Sequence, residues 1–333
     1  MKKILILIRQ PGLLEFLLPF IKANNTKKKN DIIILTTTKI VKTLFQNKIR
    51  AYKVYNLNLD LKNKIHFLIY NWKPHVIFMG AFYVKRFKEF YDCSLVAAAM
   101  KNNIKLIQCI EASYDYYIRI KETNQGRVFP NKLLLINRKS KKEAAKEGIH
   151  KNIIEAVGHP GWENIRFNKN QNYKNILFIN QPLESDFGSS LGFTEDDVWC
   201  MVYSIFKKNK NDFDNLFWAP HPRDKSLISL KEFKKVKIVK NVNKALEVSG
   251  IVVGIYSNLL VNAFLLGKKV ISIIPGDKRN EQLSPLIKWN LITKVNNYEQ
   301  LKVEIYKKNN KEESLQFLKN FKNSLKRLEQ VLK

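Results

Sequence analysis

Cysteine is scarce in this sequence: three in 333 residues, at positions 93, 109 and 200, odd in number and widely spaced. That excludes a disulfide framework and a cysteine-based zinc site, and it fits a reducing compartment. No apolar run approaches the roughly 18 residues of a membrane-spanning helix. The opening "MKKILILIRQPG" has a basic start, but its apolar stretch, residues 4–8, runs straight into Arg9 and is too short for a secretory signal. The expected setting is therefore the cytoplasm. Glycine numbers only twelve, and no Gly-x-Gly-x-x-Gly fingerprint, P-loop or Gly-x-Ser-x-Gly elbow is present. The five histidines are dispersed and offer no metal-ligand spacing, so no metal is expected.

Acidic residues are also scarce, 29 against 59 Lys plus Arg, leaving a formal charge of +30. Such an excess draws a protein toward nucleic acid, an acidic glycolipid or an anionic inner membrane. Lysine supplies most of it and is scattered, apart from short clusters such as Lys27, Lys28 and Lys29 or Arg138, Lys139, Lys141 and Lys142. Nucleic-acid readers lean on arginine and interleaved aromatics, so nucleic acid is not the expected partner. Peripheral attraction to an anionic inner membrane remains, beside a uniform compositional bias toward lysine.

Hydrophobic residues make up 45% of the chain, which excludes general disorder. The length suits two domains of about 150 residues each. Runs such as "KILILI", "DIIILTT", "HVIFMGA" and "IKLIQCIEA" are apolar without polar alternation and are separated by helical stretches. Strands of that kind are buried on both faces, in a parallel sheet flanked by helices. A polar stretch at 166–175 interrupts the rhythm, which restarts with "NILFINQ", "NLFWAP", "GIVVGI" and "KKVISIIP". We therefore expect an α/β protein of two doubly wound domains, residues 1–165 and 166–333, the last helix crossing back to the first. In such sheets ligands sit beyond the carboxyl ends of strands.

Five places meet that condition. His221 in "LFWAPHPRD" follows a strand, is stiffened by Pro220 and Pro222, and has Arg223 beside it. An imidazole there can donate a proton or hydrogen bond to an anionic leaving group. In "GIVVGIYSNLL" a strand ends at Gly254, and Tyr256, Ser257 and Asn258 form the turn into a helix whose free N–H groups suit a phosphate. An ordinary serine cap explains the same residues. "FINQPLESDFG" places Gln181, Glu184 and Asp186 after a strand, and "QCIEASYD" does the same for Glu111. Gly12, in "IRQPG", opens the first helix.

The order "ILFINQPLESD", "FWAPHPRD", "VVGIYSNLLVNAFLLGKKVISI" resembles the second half of bacterial sialyltransferases that build lipooligosaccharide and capsule. These are GT-B glycosyltransferases marked by a His-Pro pair and a Ser-Ser or Ser-Asn turn. "LLLINRKSKKEAAKEGIHKNIIEAVGHPGWENI" resembles a segment shared more widely by GT-B proteins. The resemblance implies two Rossmann-like domains with sheets facing a central cleft, the first on the acceptor side and the second on the donor side. It implies inverting transfer of a sialic-acid-like sugar from a CMP-linked (or UDP-linked) donor to a glycan or glycolipid, with no cofactor beyond the nucleotide-sugar substrate. His221 would contact the donor phosphate and assist its departure, and Ser257 would bind the same phosphate. Gln181, Pro222, Arg223, Gly254, Tyr256, Asn258 and Gly12 would complete the donor site. Asp186 or Glu184 would activate the acceptor hydroxyl, with Glu111 as rival. The chain departs from the family by having one serine at 256–258 and no acidic pair followed by glycine at "EASYD". Two other readings stay open: a UDP-GlcNAc-type 2-epimerase or hydrolase of the same fold, and a non-catalytic glycan- or nucleotide-binding homologue. Against the epimerase, the basic turn after the first strand is reduced to Arg9, and no arginine closely follows Glu111.

Overall fold

The computed structural model describes residues 1–49, 53–56, 65, 67–80, 90–111, 116–120, 122–123, 126–167, 171–221, 236–276, 285–292 and 294–332. They group into two compact units, Met1–Asn164 with Asn320–Lys333, and Ile165–Lys319.

The first unit is built on β1 (Lys2–Ile8), β2 (Asn30–Thr36), β3 (Lys53–Asn56), β4 (Val76–Gly80), β5 (Lys105–Ile110), β8 (Lys132–Leu135) and β9 (Ile154–Ala156). They form one parallel sheet in the order β3-β2-β1-β4-β5-β8-β9. A two-residue antiparallel ladder, β6 (Glu122–Thr123) with β7 (Gly126–Arg127), lies outside it. From Ile4 to Ile8 every residue of β1 is fully buried, as an unalternating apolar run covered on both faces must be. Helix α1 (Pro11–Lys27) follows β1 and opens on a proline, where the missing N–H costs nothing. It also contains Pro19, which withholds the usual hydrogen bond from the carbonyl of Glu15. The C-terminal helix Ser324–Leu332 belongs to this unit: the Glu163 carboxylate accepts the amides of Asn323 and Leu325 at 2.8 and 3.0 Å, capping it with a negative charge. Arg327 Nε donates to the Val157 carbonyl at 2.9 Å.

The second unit repeats the plan with β10 (Asn175–Ile179), β11 (Asn215–Ala219), β12 (Val236–Ile238), β13 (Ile251–Gly254), β14 (Lys269–Ile273) and β15 (Lys294–Val295). The order is β12-β11-β10-β13-β14-β15, all parallel. The helix Glu195–Lys208 covers one face and starts on a capping box between Thr194 and Asp197. Three acids in its first turn and Lys207 and Lys208 in its last suit the helix dipole. Its Trp199 is 1% exposed and packs against Phe178 and Trp218 at 5.3 and 6.2 Å between ring centroids. Both units thus show the doubly wound order in which the first strand is flanked by the second and the fourth, so each has its topological switch point beside its first strand.

Candidate functional sites

In the second unit the switch point lies between β10 and β13. Ile179, the last residue of β10, is level with Ala219 of β11 and with Gly254 of β13. Gln181, His221 and Tyr256 each lie two residues past the end of their strand, β10, β11 and β13. The Asn180 amide already donates to the Ala219 carbonyl at 3.0 Å. Buried Gln181 ties the neighbouring strands together: its Oε1 accepts the Tyr256 amide at 2.7 Å. Ser272, fully buried on β14, donates its hydroxyl to the Ile255 carbonyl and steadies the same turn. His221 is half-buried on this edge.

Ser257 caps the helix Asn258–Leu265, its Oγ accepting the Leu259 amide at 3.2 Å. The ordinary capping role is therefore present, and the hydroxyl proton is left to donate elsewhere. Asn258 is exposed beside it. Gly254 serves packing: a Cβ there would come 3.1 Å from the Ile179 carbonyl and 3.2 Å from Leu260. The stretch after β10 is helical, Leu183–Phe187 followed by a 3-10 turn Gly188–Leu191. Phe187 meets Tyr256 edge-on at 5.8 Å, so this helix sits over the same edge. Glu184 is exposed, and its amide donates to buried Glu195 at 3.0 Å. The side chain of Asp186 and the whole of Pro222 and Arg223 lie outside the described residues.

The first unit holds a second constellation, around Glu111 at the end of β5. A Cβ on Gly12 would fall 2.4 Å from both carboxylate oxygens of Glu111, so the acid occupies the space that glycine leaves at the start of α1. One turn on, Glu15 shares that helix face. Glu111 keeps some solvent exposure, yet protein fills most of the space around it. Burial, then the neighbouring Glu15 charge, raise its pKa from 4.5 to about 7, against the opposing pull of Arg119.

Glu15 is itself held. Its Oε1 accepts the indole N–H of Trp162 at 3.2 Å. Trp162 stacks on His159 at 4.0 Å and 11°, and His159 meets Phe16 edge-on at 5.2 Å. The turn carrying these rings is close-packed on α1: a Cβ on Gly161 would lie 2.4 Å from the Glu15 carbonyl, the one Pro19 releases from the helix ladder. Gly158, at φ +84°, faces Ser324 as closely and adopts a conformation that favours glycine. His159 is 2% exposed, and burial lowers its pKa to about 3, so it stays neutral at physiological pH. The sequence reading passed over Glu15, His159 and Trp162. The glycines bracketing "GHPG" and the proline four residues after Glu15 were the signal.

Among the described residues, no three His, Cys, Asp or Glu side chains gather as a metal-binding group. No helix there is long and apolar enough to cross a membrane.

No family model matches the chain, and no curated protein matches its sequence. Solved structures resemble it over nearly its whole length. The UDP-GlcNAc 2-epimerase from Methanocaldococcus jannaschii is 18% identical, with 100% of this chain and 99% of that one covered at a TM-score of 0.67. S. aureus MnaA, solved with UDP, is 14% identical over 99% and 95% of the two chains at 0.68. The glycosyltransferase of kitacinnamycin is 9% identical over 99% and 98% at 0.67. At such identities the likeness establishes the fold, which is of the GT-B type with two Rossmann-like units. The structural neighbours are GT-B-type epimerases and glycosyltransferases, and the sialyltransferase expectation finds no support in them.

Proposed function

We propose that this chain is an enzyme acting on a nucleotide-activated sugar, and that its reaction is epimerisation or hydrolysis of a UDP-N-acetylhexosamine rather than transfer of a CMP-linked sialic acid. The observation that carries this is the Glu111 carboxyl, poised near neutrality beside Glu15. Inverting a sugar carbon requires a proton to leave one face and another to arrive at the opposite one. C2 of such a sugar releases its proton only as the nucleotide leaves C1, and regains one when the nucleotide returns. An acid titrating near pH 7 can serve one face at physiological pH, taking the proton there as base or supplying it as acid, while a second group or water serves the opposite face. A hydrolase uses the same group to activate water. In this reading the second unit binds the nucleotide: His221 and the Ser257 hydroxyl bear on its phosphates, and Gln181 and Tyr256 hold the turn. No step calls for a metal.

Transfer to a glycan acceptor is the second reading. It is favoured by the short helix Leu183–Phe187, which carries exposed Glu184 and whose Phe187 meets Tyr256, and by glycosyltransferases of like fold.

Incubation with UDP-GlcNAc or CMP-sialic acid in deuterated water, followed by proton NMR, tests both. Deuterium at C2 of the UDP-sugar supports epimerisation, and release of the nucleotide without acceptor supports hydrolysis. Nucleotide release that requires an added glycan supports transfer. His221→Ala should reduce turnover at least a hundredfold in a folded protein. Inertness toward both donors overturns the proposal.

A further inference from the structure

The amino edge of the second unit's sheet, opposite the edge just described, carries an open hollow of about 890 Å³. It spans the starts of β10, β13 and β14, Asp212 and Phe213 ahead of β11, and the chain 305–312 between two helices. Two kinds of lysine meet there. Lys269 is buried, and its ammonium ties down a helix end by donating to the carbonyls of Ile305 and Lys307. Its role is structural.

The others stand on the rim. Lys174, Lys307, Lys308 and Lys311 line the hollow with two acids, Asp212 and Glu312, and Lys307 is paired with Glu304 at 2.6 Å, which leaves Lys174, Lys308 and Lys311 to carry the rim's charge. Asp212 already accepts the Tyr306 hydroxyl at 2.7 Å. Between the lysines stand aromatic rings that the fold leaves open. Tyr306 is 51% exposed and Tyr173 37%, with the Lys311 ammonium 5.9 Å over the Tyr173 ring. On the helix Tyr298–Tyr306, Leu301 and Ile305 face the core, while Lys302, Val303 and Tyr306 face solvent.

We infer that this rim is a docking surface for an anionic lipid bilayer. Charge complementarity chooses the occupant. Several lysines on one rim suit a surface of many negative charges, each lysine strengthening attachment about fivefold. Tyrosine rings with one apolar and one polar end belong at headgroup depth. The inference does not rest on which sugar reaction the chain performs. It also localises an attraction that the net charge alone leaves spread over the whole surface.

The test is co-sedimentation of the full chain with phosphatidylcholine vesicles, with and without phosphatidylserine at roughly a third of the lipid. Three proteins are compared: the parent, the rim variant Lys174→Gln/Lys308→Gln/Lys311→Gln, and Lys139→Gln/Lys141→Gln/Lys142→Gln, which removes equal charge from a helix of the first unit. The parent should bind only the serine-containing vesicles. The rim variant should bind them about a hundredfold more weakly, and the control variant within about fivefold of the parent. Tyr306→Ser, which leaves the charge unchanged, should weaken binding severalfold. Equal loss in both triple variants would show that bulk charge is responsible and overturn the inference, as would failure of the parent to bind. Displacement by inorganic phosphate at matched ionic strength would identify a small anion as occupant and overturn it too.

Discussion

Glu111→Gln should make the protein more stable at pH 8 and leave it nearly unchanged at pH 4.5. In the folded chain Glu111 holds its proton up to about pH 7, whereas its usual value is 4.5. Between those values the native state binds a proton that the unfolded chain has released, so stability falls as pH rises, by about 1.4 kcal/mol per pH unit. Above pH 7 the ionised carboxylate costs the fold about 3 kcal/mol. The partial exposure of Glu111 screens some of that, which puts the expected gain from glutamine at about 2–3 kcal/mol. Glutamine fits the space left at Gly12 and removes both the charge and its repulsion from Glu15. Urea unfolding followed by tryptophan fluorescence at the two pH values measures the difference, and Glu111→Gln should also be catalytically inert. An equal effect at both pH values, or a loss at pH 8, would refute the reasoning, because packing rather than ionisation would then dominate.

His159→Gln should flatten the acid side of the stability profile. Its folded pKa of about 3 lies below the usual 6.5, so between those values the unfolded chain binds the extra proton, and wild-type stability drops as pH falls through that window. The slope is the readout, since any change at 159 also loses ring stacking; an unchanged slope means that His159 is not what titrates. Ser257→Gly should cost only a few tenths of a kcal/mol in cap energy yet weaken UDP binding about tenfold, measured calorimetrically. Loss of stability without loss of affinity would leave Ser257 a cap and nothing more. Gly12→Ala should abolish turnover with a near-neutral effect on melting, because alanine's advantage in a helix, about 1 kcal/mol, offsets displacement of a flexible carboxylate end. Full activity would remove Glu111 from the reaction.

The fold was legible because burial on both faces leaves a trace that a sequence shows directly. "KILILI", "NILFI" and "KVISI" carry no polar alternation, and all three are central strands of parallel sheets. Short or edge elements left little trace. β3 and β15 have four and two residues, and the helix Leu183–Phe187 sits in a stretch whose acids and glycine read as loop. At the second unit's edge, strand ends could be counted along the chain, so Gln181, His221 and Tyr256 could each be placed just past a strand. What the sequence could not supply was which strands are neighbours, and hence that Gln181 bonds the Tyr256 amide.

The pairing of Glu111 with Glu15 was hidden for a different reason. Nothing in the 95 intervening positions of chain relates a strand end to the second turn of a distant helix; only the sheet order, with β5 two strands from β1, brings them close. The physical cost of that meeting is visible nonetheless. A glycine gives up its side chain to admit the acid, a proline gives up a helix bond where Gly161 comes in, and a buried histidine backs the tryptophan that holds Glu15. None of these choices improves stability on its own. Glycine and proline inside a helix each weaken it, and a buried neutral histidine weakens the fold in acid. Local sacrifices that converge on one carboxylate are what the role proposed for Glu111 requires, since a fold selected for stability alone favours alanine at 12 and an apolar residue at 111.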